Sequence, residues 1–150
     1  MNLNENLKMV GELTVVKRGH DGQIKQSFKV PNLVVTSGKE FIASSMIKTT
    51  TNLPAAMSHM AIGTSTATPV IANIALGTEV GRVTLGSSSA TNNQVTYTAT
   101  FPAGTGTGAI TEAGILNAAT GGVMLCRTTF PVVTKESGDS IAITWIVTVS

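Results

Sequence analysis

Apolar and polar residues alternate with a period of two along most of the chain. Residues 94–101 give the clearest case: Val95, Tyr97, Ala99 and Phe101 fall on one face, Thr96, Thr98 and Thr100 on the other. Residues 141–149 repeat it, with Ile141, Ile143, Trp145, Val147 and Val149 together. Such faces bury their apolar side, so Tyr97, Phe101 and Trp145 are expected to anchor a core. Residues 9–17 and 23–30 read as two strands joined through residues 18–22, whose Asp21-Gly22 step favours a tight hairpin. Pro31-Asn32 is expected to break the second strand ahead of Leu33-Val34-Val35. Further strands are expected over residues 57–62, 80–85, 109–117 and 123–133. Residues 63–77 read as a long irregular stretch, and 86–90 as a flexible turn.

One helix is expected, over residues 37–48. Ser37 and Glu40 have capping-box spacing, in which hydroxyl and carboxylate each satisfy the other residue's amide. Phe41, Ile42, Ser45 and Met46 then share a face, which makes Phe41 a fourth core anchor. Eight or nine short strands with glycine-rich turns and one helix predict an all-β protein, a β-sandwich of jelly-roll type. The organisation expected is a polar N-terminal arm over residues 1–8, ordered only by a neighbour, and one domain over 9–150.

Composition sharpens this reading. Of the 150 residues 42% are hydrophobic, but only 12% are charged and 4% aromatic, against an ordinary charged fraction of ~25%. Residues 1–48 hold 11 of the 18 charged side chains, leaving 7 for the remaining 102. Thr, Ser, Gly and Ala fill that tract, a surface that costs little to desolvate when another protein covers it. The net charge of +2 comes from scattered basic residues interleaved with Glu5, Glu12, Asp21 and Glu40, so nucleic acid is not expected as a partner. The N-terminus lacks a basic start and an apolar segment, and residues 141–149 are too short to span a bilayer, so no membrane role is expected. Cys126, the single cysteine, sits in the apolar run Val123-Met124-Leu125-Cys126 and reads as a buried hydrophobe.

Candidate chemistry is sparse. His20, His59 and Cys126 share no metal-ligand spacing, and the acids are too dispersed for an oxygen-rich cation site. Gly104-Thr105-Gly106-Thr107-Gly108 looks like a phosphate loop, but a strand follows it where a helix N-terminus is required. No GxSxG elbow is present. The expectation is therefore no enzyme, no cofactor, no metal and no small-molecule substrate. Four charges in the strand-rich part stand out. Alternation places Glu112 with Ile110 and Leu116, and Arg127 with Val123 and Leu125, so both point toward the core. A buried carboxylate needs a partner, and Glu112 is expected to pair with Arg82 or Arg127, with Glu79 completing the network.

The order of several motifs resembles the N-terminal domains of phage tail-collar and tail-fibre proteins. It comprises Met57-Ser58-His59-Met60-Ala61-Ile62-Gly63-Thr64, the Pro69 loop, and Leu76-Gly77-Thr78-Glu79-Val80-Gly81-Arg82-Val83. Thr100-Phe101-Pro102, Ile110-Thr111-Glu112-Ala113-Gly114-Ile115-Leu116 and Gly122-Val123-Met124-Leu125-Cys126-Arg127 follow. Pro31-Asn32-Leu33-Val34-Val35-Thr36-Ser37-Gly38-Lys39 is similar to a segment of small virion proteins of tailed phages. The resemblance covers roughly residues 30–150. It implies a place in the virion after assembly in the host cytoplasm, and a homo-oligomer, a trimer or higher ring, in contact with neighbouring virion proteins. Fibre proteins continue into a long shaft, whereas this sequence stops at Ser150, so a tail, neck, baseplate or fibre-attachment piece is expected rather than a whole fibre. Two alternatives remain at this point, a capsid decoration protein and a glycan-binding host-recognition module.

Overall fold

The computed structural model describes residues 6–47, 51 and 53–150. It contains strands β1 (Met9–Arg18), β2 (Ile24–Val34), β3 (His59–Gly63), β4 (Glu79–Thr84), β5 (Ser87–Thr91), β6 (Gln94–Phe101), β7 (Gly108–Leu116), β8 (Met124–Lys135) and β9 (Ser140–Val149). A single helix among the described residues, α1, spans Thr36–Ser45. The alternation therefore folds as it reads, into an all-β chain with one short helix.

All neighbouring strands are antiparallel, in the order β4-β3-β7-β8-β2-β1-β9-β6-β5. In place of two separate sheets there is one curled sheet with two halves. β2 joins them on one side: residues up to Asn32 pair with β1, and Leu33 and Val34 pair with Arg127 and Cys126 of β8. On the other side the two ends of the order, β4 and β5, are consecutive in the chain. They are separated only by Leu85, whose amide donates to the Ser58 carbonyl, and Gly86, whose amide donates to the Thr98 carbonyl. Strands that change partners at a bend are how a sheet turns a corner over its own core.

The core lies between the halves. Rows of paired residues such as Leu13, Trp145 and Tyr97, or Val15, Ile143 and Ala99, cover one side. Met60, Ile62, Ala113, Ile115, Cys126 and Phe130 cover the other. Trp145 and Phe101 are fully buried, Tyr97 nearly so, and burial pushes the Tyr97 phenol up to about 12. Phe41 and Ile42 pack partly buried against the same cluster, so α1 lies over an open end of the core. A second apolar cluster, Val35, Ala61, Leu76, Leu116 and Met124, lies apart from the first. It arises because residues 64–78 cross the outer surface of β3 and β7, which bury both faces of those strands.

Several local expectations change. Pro31 and Asn32 lie inside β2, at the point where the strand leaves β1 for β8 and a residue without an N–H disturbs the fewest ladder bonds. Residues 87–91 form strand β5 rather than a turn, because Asn92-Asn93 closes a tight hairpin onto β6, with Asn92 at φ 54°. The helix begins at Thr36 with Val35 as its cap and no side-chain capping bond. Ser37 instead donates to the Met124 carbonyl at 2.8 Å. Gly38 lets the helix approach β8, since a Cβ there would stand 2.1 Å from the Leu125 carbonyl oxygen. The expected helix end at Lys48 and most of the expected arm, residues 1–5, lie outside the described residues. Lys8, assigned to the arm, already exchanges backbone hydrogen bonds with Ser150.

Candidate functional site

The four charges of the strand-rich part form two separate pairs. Glu112 on β7 and Arg127 on β8 are 0% and 2% exposed, with Arg127 Nη2 2.8 Å and Nε 3.0 Å from Glu112 Oε2. Arg82 on β4 instead grips Glu79 at both ends of the carboxylate, 2.7 and 2.8 Å, and its Nη1 donates to the carbonyls of Ala118 and Gly121. Glu79 therefore does not complete a network around Glu112. It orients Arg82, which holds the loop between β7 and β8.

Glu112 does not point into the main core. The β7–β8 ladder shifts register between Ile110 and Glu112, and again between Ile115 and Leu116. A one-residue slip moves later side chains to the opposite face. Ile110 thus stays in the main core, while Glu112 emerges on the far face, under residues 64–78. At the second shift Ile115 faces Cys126 and Leu116 faces Met124, which leaves Leu125 as the extra residue and turns Arg127 to the same far face.

There the carboxylate is saturated. Oε1 accepts from the amides of Ser65 (3.2 Å) and Thr78 (2.8 Å), and Oε2 accepts from the Gly77 amide (2.9 Å) as well as Arg127. Burial alone would raise the carboxyl pKa; the amides of Thr78 and Gly77, then Arg127 and the Ser65 amide, outweigh it and hold the group below its ordinary value. Arg127 also donates from Nη1 to Asn73 Oδ1 and from Nη2 to the Ala67 carbonyl, both 3.1 Å away. Thr111 adds a bond to the Ser65 carbonyl. One ion pair on two adjacent strands thereby ties down both limbs and the middle of residues 64–78. Its polar atoms are occupied by the chain itself, which suits a latch and leaves no free lone pair for proton transfer.

No family model, curated protein or solved structure matches the chain.

The latched segment carries exposed apolar side chains: Val70, Ile71 and Ile74, the last 74% exposed. Ile71 touches the start of α1 through its carbonyl, which accepts from the Thr36 amide. Beyond α1 lies an apolar groove of about 590 Å³ between residues 7–10, the end of β2 and the helix, with Leu7, Val10 and Met46 exposed along it. Leu33 lines both this groove and a shallow cleft shared with Asn32, Pro69, Thr128 and Thr129. Lys8 and Lys39 line the same groove.

Two buried charges escaped the sequence reading. Lys135 is 1% exposed and donates to the Pro102 carbonyl at 2.9 Å, with burial holding its ammonium below the usual range. Asp139, 2% exposed, accepts from the Glu136 amide and from Lys25. The spacing of Lys135 from Val133, two apart on one strand, was the available signal for the first. Among the described residues, no cluster of His, Cys, Asp and Glu has metal-binding geometry. His20 is exposed in its turn, and His59 bonds to Ser58 at 2.8 Å.

Proposed function

We propose that the chain is a structural protein of a tailed-phage virion, in the tail, neck or fibre-attachment region, and acts by assembly with other proteins. The observation that carries the assembly half is the apolar groove between residues 7–10, the end of β2 and α1, with Leu7, Val10 and Met46 exposed along it, beside the exposed Val70, Ile71 and Ile74 of the segment that the ion pair holds. Large apolar side chains exposed along a groove are a usual mark of a protein–protein contact. The virion half rests on the motif order described above, from Met57 through Arg127, with the Pro31 to Lys39 segment before it.

Quantitative mass spectrometry of purified phage particles tests both halves. A few copies to a few dozen per portal complex is the expected result. Hundreds of copies would replace the tail or neck position by decoration of the capsid, and absence from the particle would end the virion reading.

A further inference from the structure

Among the described residues, the sheet has one bare edge. In the β5–β6 hairpin, Thr91 and Gln94 flank the two-residue turn Asn92-Asn93. They must be a hydrogen-bonded pair, because the alternative pattern would require a bond between the two turn residues themselves. Alternation then makes Ser89–Thr96 and Ser87–Thr98 the other bonded pairs. The N–H and C=O groups of Ser88 and Ala90 consequently point away from β6. All five residues of β5 are exposed, and an open cleft of about 300 Å³ separates Ser88 and Ala90 from Ala56 and Met57.

Edge strands are ordinarily blunted by charge, proline or a bulge. The opposite edge, β4, carries the Glu79–Arg82 pair and is packed by Gly106. β5 has none of these devices: Ser87-Ser88-Ser89-Ala90-Thr91 is regular and uncharged, as are β6 and β9 behind it. We infer that β5 is a self-pairing edge, at which two copies of this chain join antiparallel about a two-fold axis through Ser89. In that register each Ser88 exchanges hydrogen bonds with the Ala90 of the other copy. Ser89 faces its own counterpart in the closer, non-bonded type of pair. An uncharged strand brings no like charges together when it meets itself, and a two-fold contact needs only one such surface.

The contact is small. Five-residue strands overlap over ~17 Å, well short of the ~1,200–2,000 Å² of a stable isolated interface. It therefore acts as a weak link between two copies, populated where their local concentration is high. This deepens the assembly reading and rests on it only for its biological setting.

Disulfide trapping suits so weak a contact, since the one native thiol, Cys126, is fully buried and burial raises its pKa far out of the reactive range. Ser89→Cys in the full chain is expected to cross-link under mild oxidation at least tenfold faster than Ser27→Cys, an exposed control position on β2. Equal rates would overturn the inference. As an independent arm, Ser89→Lys and Ser89→Glu chains should each sediment as monomers at high concentration and associate when mixed; a mixture that stays monomeric would also overturn it. Either failure leaves the virion measurement untouched, and absence from the particle would leave the β5 contact standing.

Discussion

Replacing Glu112 by Gln changes one atom type in the latch. Every lone pair that the carboxylate offers is aimed at a donor: Ser65 and Thr78 on one oxygen, Gly77 and Arg127 on the other. Whichever way the new carboxamide turns, its NH₂ meets N–H groups, and the Arg127 guanidinium, 2% exposed, loses its counter-charge. Removing one partner of a buried pair costs ~3–5 kcal/mol. A chain of this size has a urea m-value of ~1–3 kcal/mol/M, so the unfolding midpoint should fall by about 1 M or more. Trp145, the one tryptophan and fully buried, reports the transition by fluorescence. The pH dependence gives a second readout. Glu112 has its folded pKa below the ordinary value of 4.5, so its contribution is complete above that value and disappears as pH falls through the lower, folded one. Glu112→Gln should flatten the stability profile in that acid window. A cost below ~1 kcal/mol, the range of surface changes, with an unchanged acid profile, would refute the latch.

Other substitutions probe the remaining joints. Gly63→Ala would set a Cβ 2.3 Å from the Thr78 carbonyl and 2.4 Å from Glu112 Oε1, and is expected to lower stability by ~1–3 kcal/mol in the same urea assay. Asn32→Ala removes the acceptor 3.1 Å from Trp145 Nε1, leaving a buried indole N–H unpaired at a cost of ~1–3 kcal/mol. Gly11→Ala should cost as much by another route, because its Cβ would displace the Asn32 carboxamide; the double variant should cost clearly less than the sum, and strict additivity would show the effects to be independent. Arg82→Lys loses the two-pronged grip on Glu79 and the carbonyls of Ala118 and Gly121. It should cost under ~1 kcal/mol globally yet speed amide hydrogen exchange across residues 117–122, and unchanged exchange there would sink the clamp.

The strands were legible where burial is one-sided. β6 and β9 have a single core face each, and their alternation names Tyr97, Phe101 and Trp145 directly. Alternation is uninformative where the pattern does not come from one core. β5 has no apolar face, so only its turn identifies it as a strand. β7 is buried on both faces, and its register shifts decouple position from direction, so alternation aims Glu112 at the core while the strand turns it to the far face; its need for a cation is plain from its type. The choice between Arg82 and Arg127 depended on strand order, which alternation does not encode. Ser37 has the right spacing for a capping box, but the Met124 carbonyl of β8 competes for its hydroxyl and wins.

The position of the latch explains why an expensive pair is retained. Residues 64–78 contribute one buried anchor, Leu76, yet present Val70, Ile71 and Ile74 outward. A segment with so little to bury cannot hold itself down by hydrophobic contact. Swapping Glu112 and Arg127 for apolar residues could match their stability in a closed core, but would leave the amides of Ser65, Gly77 and Thr78 without an acceptor. The ion pair serves here because its two ends satisfy three backbone amides and the Ala67 carbonyl at once beneath the loop. It therefore fixes a loop whose apolar side chains face outward, and on the assembly reading proposed above that pre-organisation would lower the cost of ordering the loop when a partner binds.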